Sequence, residues 1–187
     1  KAVALALALI VAAAAAGLQV DSPQSGQAPA AVAVERASLI PLPASVSMTP
    51  GESFAVTKET VIEVSPRQPE VRRIAEMLAA LVWPALEARL AIRDAGPAPL
   101  PGTIRLEVDP SGSRLEEGYE LAVAREGIRL AAKTPAGLFY GFQTLRQLMP
   151  WTVELRGIRP FALTVPAAVI TDAPRFGWRG AMLDVAR

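Results

Sequence analysis

The chain has 187 residues, and none of them is histidine or cysteine. Those two absences remove most of the usual ways a side chain can do chemistry. A serine–histidine–acid triad, a histidine proton relay, a thiol nucleophile, a zinc knuckle and a disulfide framework all need residues this chain lacks. What remains is carboxylate, hydroxyl, lysine, arginine and backbone. The adjacent acids Glu116-Glu117 are candidates for acid–base work. They stand just ahead of an alternating run with nothing nearby to raise a carboxyl pKa, so they read as a solvated turn and not as a catalytic pair. Nineteen Lys and Arg against 18 Asp and Glu leave a formal charge of +1. That balance gives no electrostatic reason to expect nucleic acid or an anionic membrane as partner.

The elements that would position such groups follow from the apolar pattern. With 51% hydrophobic residues the chain can build a sizeable core. Ile40-Pro41-Leu42-Pro43 reads as extended. Val46 and Met48 alternate with polar neighbours, Pro50-Gly51 reads as a turn, and Thr60 to Val64 reads as a strand. From Gln68 to Ile92 the apolar residues fall on one helical face, with a kink or new start expected at Pro84, and Asp94 to Gly102 reads as a loop. Three strands come next, over Ile104–Val108, Tyr119–Val123 and Ile128–Ala131, the last two forming a hairpin. Thr134-Pro135 starts a second helix whose stripe is Leu138, Phe142, Leu145 and Met149, with Tyr140 also expected in the core. Gly137 and Gly141, one turn apart, predict close approach of that helix to the sheet. The expected fold class is α+β: a mainly antiparallel sheet with two helices on one face.

The two ends read differently. Lys1 followed by the apolar run Ala2 to Ala16 predicts a secretory signal peptide over residues 1–17 cut near Ala16, with an uncleaved anchor as the alternative. The run falls short of the roughly 20 residues needed to span a bilayer, so no stable membrane span is expected. Residues 18–38, rich in Ser, Pro, Gln, Gly and Ala, read as a flexible linker. The folded domain is expected over 39–165, with Pro166 to Asp172 an extended connector. Ala181-Met182-Leu183 then forms a short apolar run of the kind found in a strand buried on both faces. Such a strand needs neighbours, so the natural chain is expected to continue past Arg187.

Two segments resemble one family. Thr134 to Leu148 is similar to the second helix of the domain that precedes the barrel in β-N-acetylhexosaminidases of glycoside hydrolase family 20. Asp172-Ala173-Pro174-Arg175-Phe176, with Trp178-Arg179-Gly180 and Met182 to Arg187, resembles the stretch that leads into that family's catalytic (β/α)₈ barrel. Glu117-Gly118-Tyr119 also fits the family's central hairpin.

The resemblance implies that residues 166–187 are a connector and the start of a truncated barrel. It implies an enzyme that removes terminal β-linked GlcNAc or GalNAc from oligosaccharides and glycoconjugates, and the expected signal peptide makes it an exported (periplasmic or extracellular) one. The mechanism would be retaining and substrate-assisted, with no metal or organic cofactor. The family's Asp–Glu pair would lie beyond Arg187, leaving no catalytic residue in this chain and an inactive fragment. Arg179 matches the arginine that hydrogen-bonds the sugar's outer hydroxyls; the competing reading is an arginine that pairs with an acid at a domain interface. Asp184 and Arg187 also match but read as structural. Trp178 reads equally as a sugar platform or as packing between domains. Trp83 and Trp151 have no implied role. The alternative for the whole chain is a non-catalytic carbohydrate-binding or interaction module.

Overall fold

The computed structural model describes residues 38–111, 115–155 and 161–183. The expected signal peptide and nearly all of the expected linker lie outside the described residues, as do Asp184 and Arg187.

Strands β1 (Ser45–Val56) and β2 (Val61–Val64) precede helix α1 (Pro69–Leu86). Strands β3 (Ala91–Asp94), β4 (Thr103–Val108), β5 (Tyr119–Ala124) and β6 (Gly127–Ala132) come after it. Helix α2 (Pro135–Leu148), a 3₁₀ turn (Trp151–Glu154) and strand β7 (Leu163–Asp172) complete the order. The strands form one sheet in the order β1-β7-β5-β6-β4-β2-β3. Both helices lie over the same face and touch each other, α1 against β2, β3 and β4, and α2 against β4, β5, β6 and β7.

The sheet corrects the expectation of mainly antiparallel pairing, because it is mixed. β2 runs parallel to β3 and β4, and β4 parallel to β6. The antiparallel pairs are β5–β6, β5–β7 and β1–β7. Alternation in sequence reports which side chains share a face, not which way the neighbouring strand runs. The direction is set by the connections, and α1 between β2 and β3 is the crossover a parallel pair requires.

Four local differences have physical reasons. Helix α1 does not break at Pro84 but runs through it to Leu86, since a proline in the last turn disrupts little beyond. Glu87 then turns left-handed at φ 50° and donates its N–H to the carbonyl of Trp83 at 2.8 Å. The residues after it form edge strand β3 in place of the expected helix end. Pro50-Gly51 is not a turn between two strands: β1 is continuous, and its register with β7 shifts between Met48 and Ser53, with Gly51 at φ 77° absorbing the irregularity. Pro166 to Asp172, expected as an extended connector, belong instead to strand β7. β7 pairs with β1 from Leu163 to Thr171 and with β5 from Ala168 to Asp172, and Pro166 sits where β1 resumes pairing at Ser53, a place that tolerates a missing N–H.

The buried face carries Ile62, Val64, Ile104, Leu106, Ile128, Leu130, Leu121 and Ile170, all nearly or fully inaccessible to solvent. The other face carries charge. Arg93, Glu63, Arg105 and Arg129 stand in one cross-strand row over β3, β2, β4 and β6. Glu63 is only 1% exposed; Arg93 Nη2 donates to its Oε1 at 2.8 Å and Arg105 Nη1 lies 3.5 Å from its Oε2. Glu107 accepts from Arg105 and, at 2.7 Å, from Arg129 Nε. The row ends on edge strand β3, where charged side chains oppose pairing with another chain.

Candidate functional site

Helix α2 starts where the sequence predicts. Thr134 is its N-cap, its hydroxyl accepting from the Gly137 N–H at 3.3 Å, and Pro135 comes next at the first helical position. The same hydroxyl donates to the carbonyl of Glu116. A Cβ added at Gly137 would stand 2.4 Å from the carbonyl oxygen of Gly118 and 2.9 Å from the Cβ of Ala132. Glycine is therefore what allows the helix to sit on the hairpin. A Cβ at Gly141 would likewise meet Leu130 Cδ1 at 2.3 Å. These contacts clamp the segment Glu116-Glu117-Gly118 against the start of α2 and bring Glu117 onto the same surface as Tyr140.

Arg179 closes this site. Its Nη1 donates to the carbonyl of Phe176 at 2.6 Å. Its Nη2 donates to Glu117 Oε2 and, at 3.3 Å, to Tyr140 Oη. The guanidinium carbon stands 5.6 Å from the centre of the Tyr140 ring, within cation–π range. The hydrogen bond to Glu117, then that to Tyr140, holds the Arg179 pKa above its ordinary value, so the group stays charged. A guanidinium has about five N–H donors, and these three bonds leave two for a ligand.

Two of these residues carry roles the sequence does not announce. Glu117 is an arginine partner as well as a turn residue; its place in Glu117-Gly118-Tyr119 is the signal that marks it. Tyr140, expected in the core, is 38% exposed, which frees its hydroxyl for Arg179, while Phe142 is buried as expected. Trp178 is 88% exposed. Residues 173–183 carry no regular secondary structure, and Met182 and Leu183 face solvent. Among the described residues no group of three or more acidic, His or Cys side chains is placed to hold a metal ion.

The family model described as glycosyl hydrolase family 20, domain 2, matches residues 36–173, which takes in β1 to β7 and both α1 and α2. The chain belongs to glycoside hydrolase family 20. It is 38% identical over 150 residues to a β-hexosaminidase of Porphyromonas gingivalis, covering 80% of this chain and 19% of that protein. A β-N-acetylhexosaminidase of Cellulomonas fimi is 35% identical over 155 residues, covering 80% and 29%. Among solved structures, the family 20 β-N-acetylhexosaminidase of Streptomyces coelicolor superposes with a TM-score of 0.69 at 42% identity, over 78% of this chain and 28% of that one. A mutant Streptomyces plicatus β-hexosaminidase in complex with GlcNAc gives 0.68 at 41%, with the same coverage. The chain thus spans less than a third of the length of these family 20 relatives.

Proposed function

We propose that this chain is the leading part of an exported β-N-acetylhexosaminidase that hydrolyses terminal β-linked GlcNAc or GalNAc from oligosaccharides and glycoconjugates. The family 20 match over residues 36–173 carries the reading. Residues 39–172, through the end of β7, are assigned to the accessory domain and 173–187 to the connector and the start of the first strand of the catalytic barrel, because β7 belongs to the accessory sheet.

The reaction is retaining and substrate-assisted: the sugar's acetamido oxygen attacks the anomeric carbon while a glutamic acid protonates the departing oxygen, and water then opens the resulting ring with the same carboxylate as base. That glutamate and its neighbouring aspartate belong to the part of the enzyme beyond Arg187. Arg179 is the substrate-binding residue of this segment. Glu117, Tyr140 and the Phe176 carbonyl hold its guanidinium, and its remaining donors suit vicinal sugar hydroxyls.

The test is to express the complete reading frame and assay p-nitrophenyl β-N-acetylglucosaminide. Hydrolysis that releases the β-anomer first supports the proposal, and no turnover overturns it. Arg179→Ala should lower kcat/KM about 100-fold or more, the effect of losing two charged hydrogen bonds at ~1.5–3 kcal/mol each. Its thermal midpoint should barely move, because the Glu117 pair is half-exposed. An unchanged kcat/KM would return Arg179 to a purely structural pairing.

A further inference from the structure

Trp151 is 73% exposed, and it is displayed by an anchored element. The 3₁₀ turn Trp151–Glu154 is closed by the Val153 N–H to the Pro150 carbonyl at 2.9 Å and by the Leu155 N–H to the Thr152 carbonyl at 3.2 Å. Val153 is buried and the turn packs on α1. With Val153 directed inward, Trp151 is held at the rim of a cleft of about 460 Å³ between this turn and the last two turns of α2. A cleft of that size accommodates a small ligand.

The cleft's polar groups are fixed in advance. Arg146 offers Nε and Nη2 to the two carboxylate oxygens of Glu154, a forked pair. Arg146 Nη1 also reaches Gln143 Oε1 at 3.4 Å. Gln147 clips the chain at Ile40, accepting its N–H at 2.9 Å and donating to its carbonyl at 3.1 Å. The Glu154 carboxyl is held below its ordinary pKa, chiefly by the hydrogen bond from Arg146, so the pair keeps both charges in mild acid.

Because Arg146 and Glu154 cancel, the described lining has no net charge with which to select an anion or a cation. What it offers is an aromatic face, flanked by planar amide, guanidinium and carboxylate edges. An aromatic face takes the C–H side of a pyranose ring, and planar polar edges take its equatorial hydroxyls. We infer that the cleft between α2 and the 3₁₀ turn binds a ring of a neutral saccharide, stacked on Trp151 and hydrogen-bonded by Gln143 and the Arg146–Glu154 pair. The choice of an N-acetylglucosamine oligomer as that saccharide rests on the function proposed above, and the site would let the accessory domain hold a long substrate chain.

The experiment uses the product of the complete reading frame labelled with fluorotryptophan. The Trp151 ¹⁹F resonance is assigned by its loss in Trp151→Phe. Adding chitohexaose should shift that resonance. Trp151→Ala should raise the half-saturating concentration of colloidal chitin about fivefold relative to that of p-nitrophenyl β-N-acetylglucosaminide, and Trp151→Tyr should restore most of the difference. An unmoved resonance with an unchanged ratio overturns the inference. A Trp151 resonance shielded from a soluble paramagnetic probe also overturns it, since the rest of the protein then covers the cleft. If the wild-type protein fails to cleave the nitrophenyl glycoside, the hexosaminidase reading falls; a Trp151 shift on adding chitohexaose would still sustain the saccharide site.

Discussion

Tyr119 lies beneath α2, 2% exposed, with its hydroxyl 2.6 Å from Thr144 Oγ1. Burial pushes its phenol pKa up to about 12; the Thr144 hydrogen bond opposes the rise and Asp172 adds to it. A pKa raised by folding means that the folded state holds the proton more tightly than the unfolded chain. The stability linked to it is therefore intact below pH ~10 and is lost as pH rises toward 12, by at most roughly 2–3 kcal/mol. Tyr119→Phe should flatten the fall of stability between pH 10 and 12, measured by urea unfolding across that range. At neutral pH it should be less stable by about 1 kcal/mol, the net value of the lost hydrogen bond. A slope equal to that of the unsubstituted protein would show that Tyr119 does not ionise with unfolding.

At the scale of elements, α2 is fixed by two glycines whose missing side chains are filled by other atoms. Gly137→Ala should raise helix propensity by ~1 kcal/mol yet destabilise the domain by about 1–3 kcal/mol net, because a Cβ meets the Gly118 backbone and not a side chain that can swing away. Thermal unfolding would check it, and a stabilised Gly137→Ala would show that the helix can lift off the hairpin. This helix was legible from its residues: Thr134-Pro135 marked its start, the apolar stripe its buried face and the glycine pair its close approach. Strand β3 was not, because Ala91–Asp94 continues an apolar pattern begun in α1 and only the left-handed turn at Glu87 separates them. Strand β7 was hidden by Pro166, which is tolerated because it lies at the bulge. The partnership of Arg179 with Glu117 and Tyr140 was hidden for another reason. It joins three stretches far apart in sequence, and local pattern carries no information on which surface side chains meet.

For the whole molecule, the decisive placement is that of β7 between β1 and β5. Leu163, Val165, Ala168 and Ile170 are buried there, so β7 holds the sheet's interior together and is more than a passage between domains. A chain ending before Leu163 should lose the cooperative thermal transition seen by circular dichroism, whereas one ending after residue 173 should keep it. Retention of the transition without β7 would mean that β2 to β6 and the two helices suffice. The inserted strand also sets an order of events during synthesis. β1 leaves the ribosome early, but the strand it pairs with is made some 100 residues later, a wait of roughly 5–20 s at ordinary elongation rates. Until then both β1 and β5 present open edges to other nascent chains and to chaperones. Closure of the sheet thus comes as the last segment of this domain emerges, so any residues synthesised after it meet a finished surface.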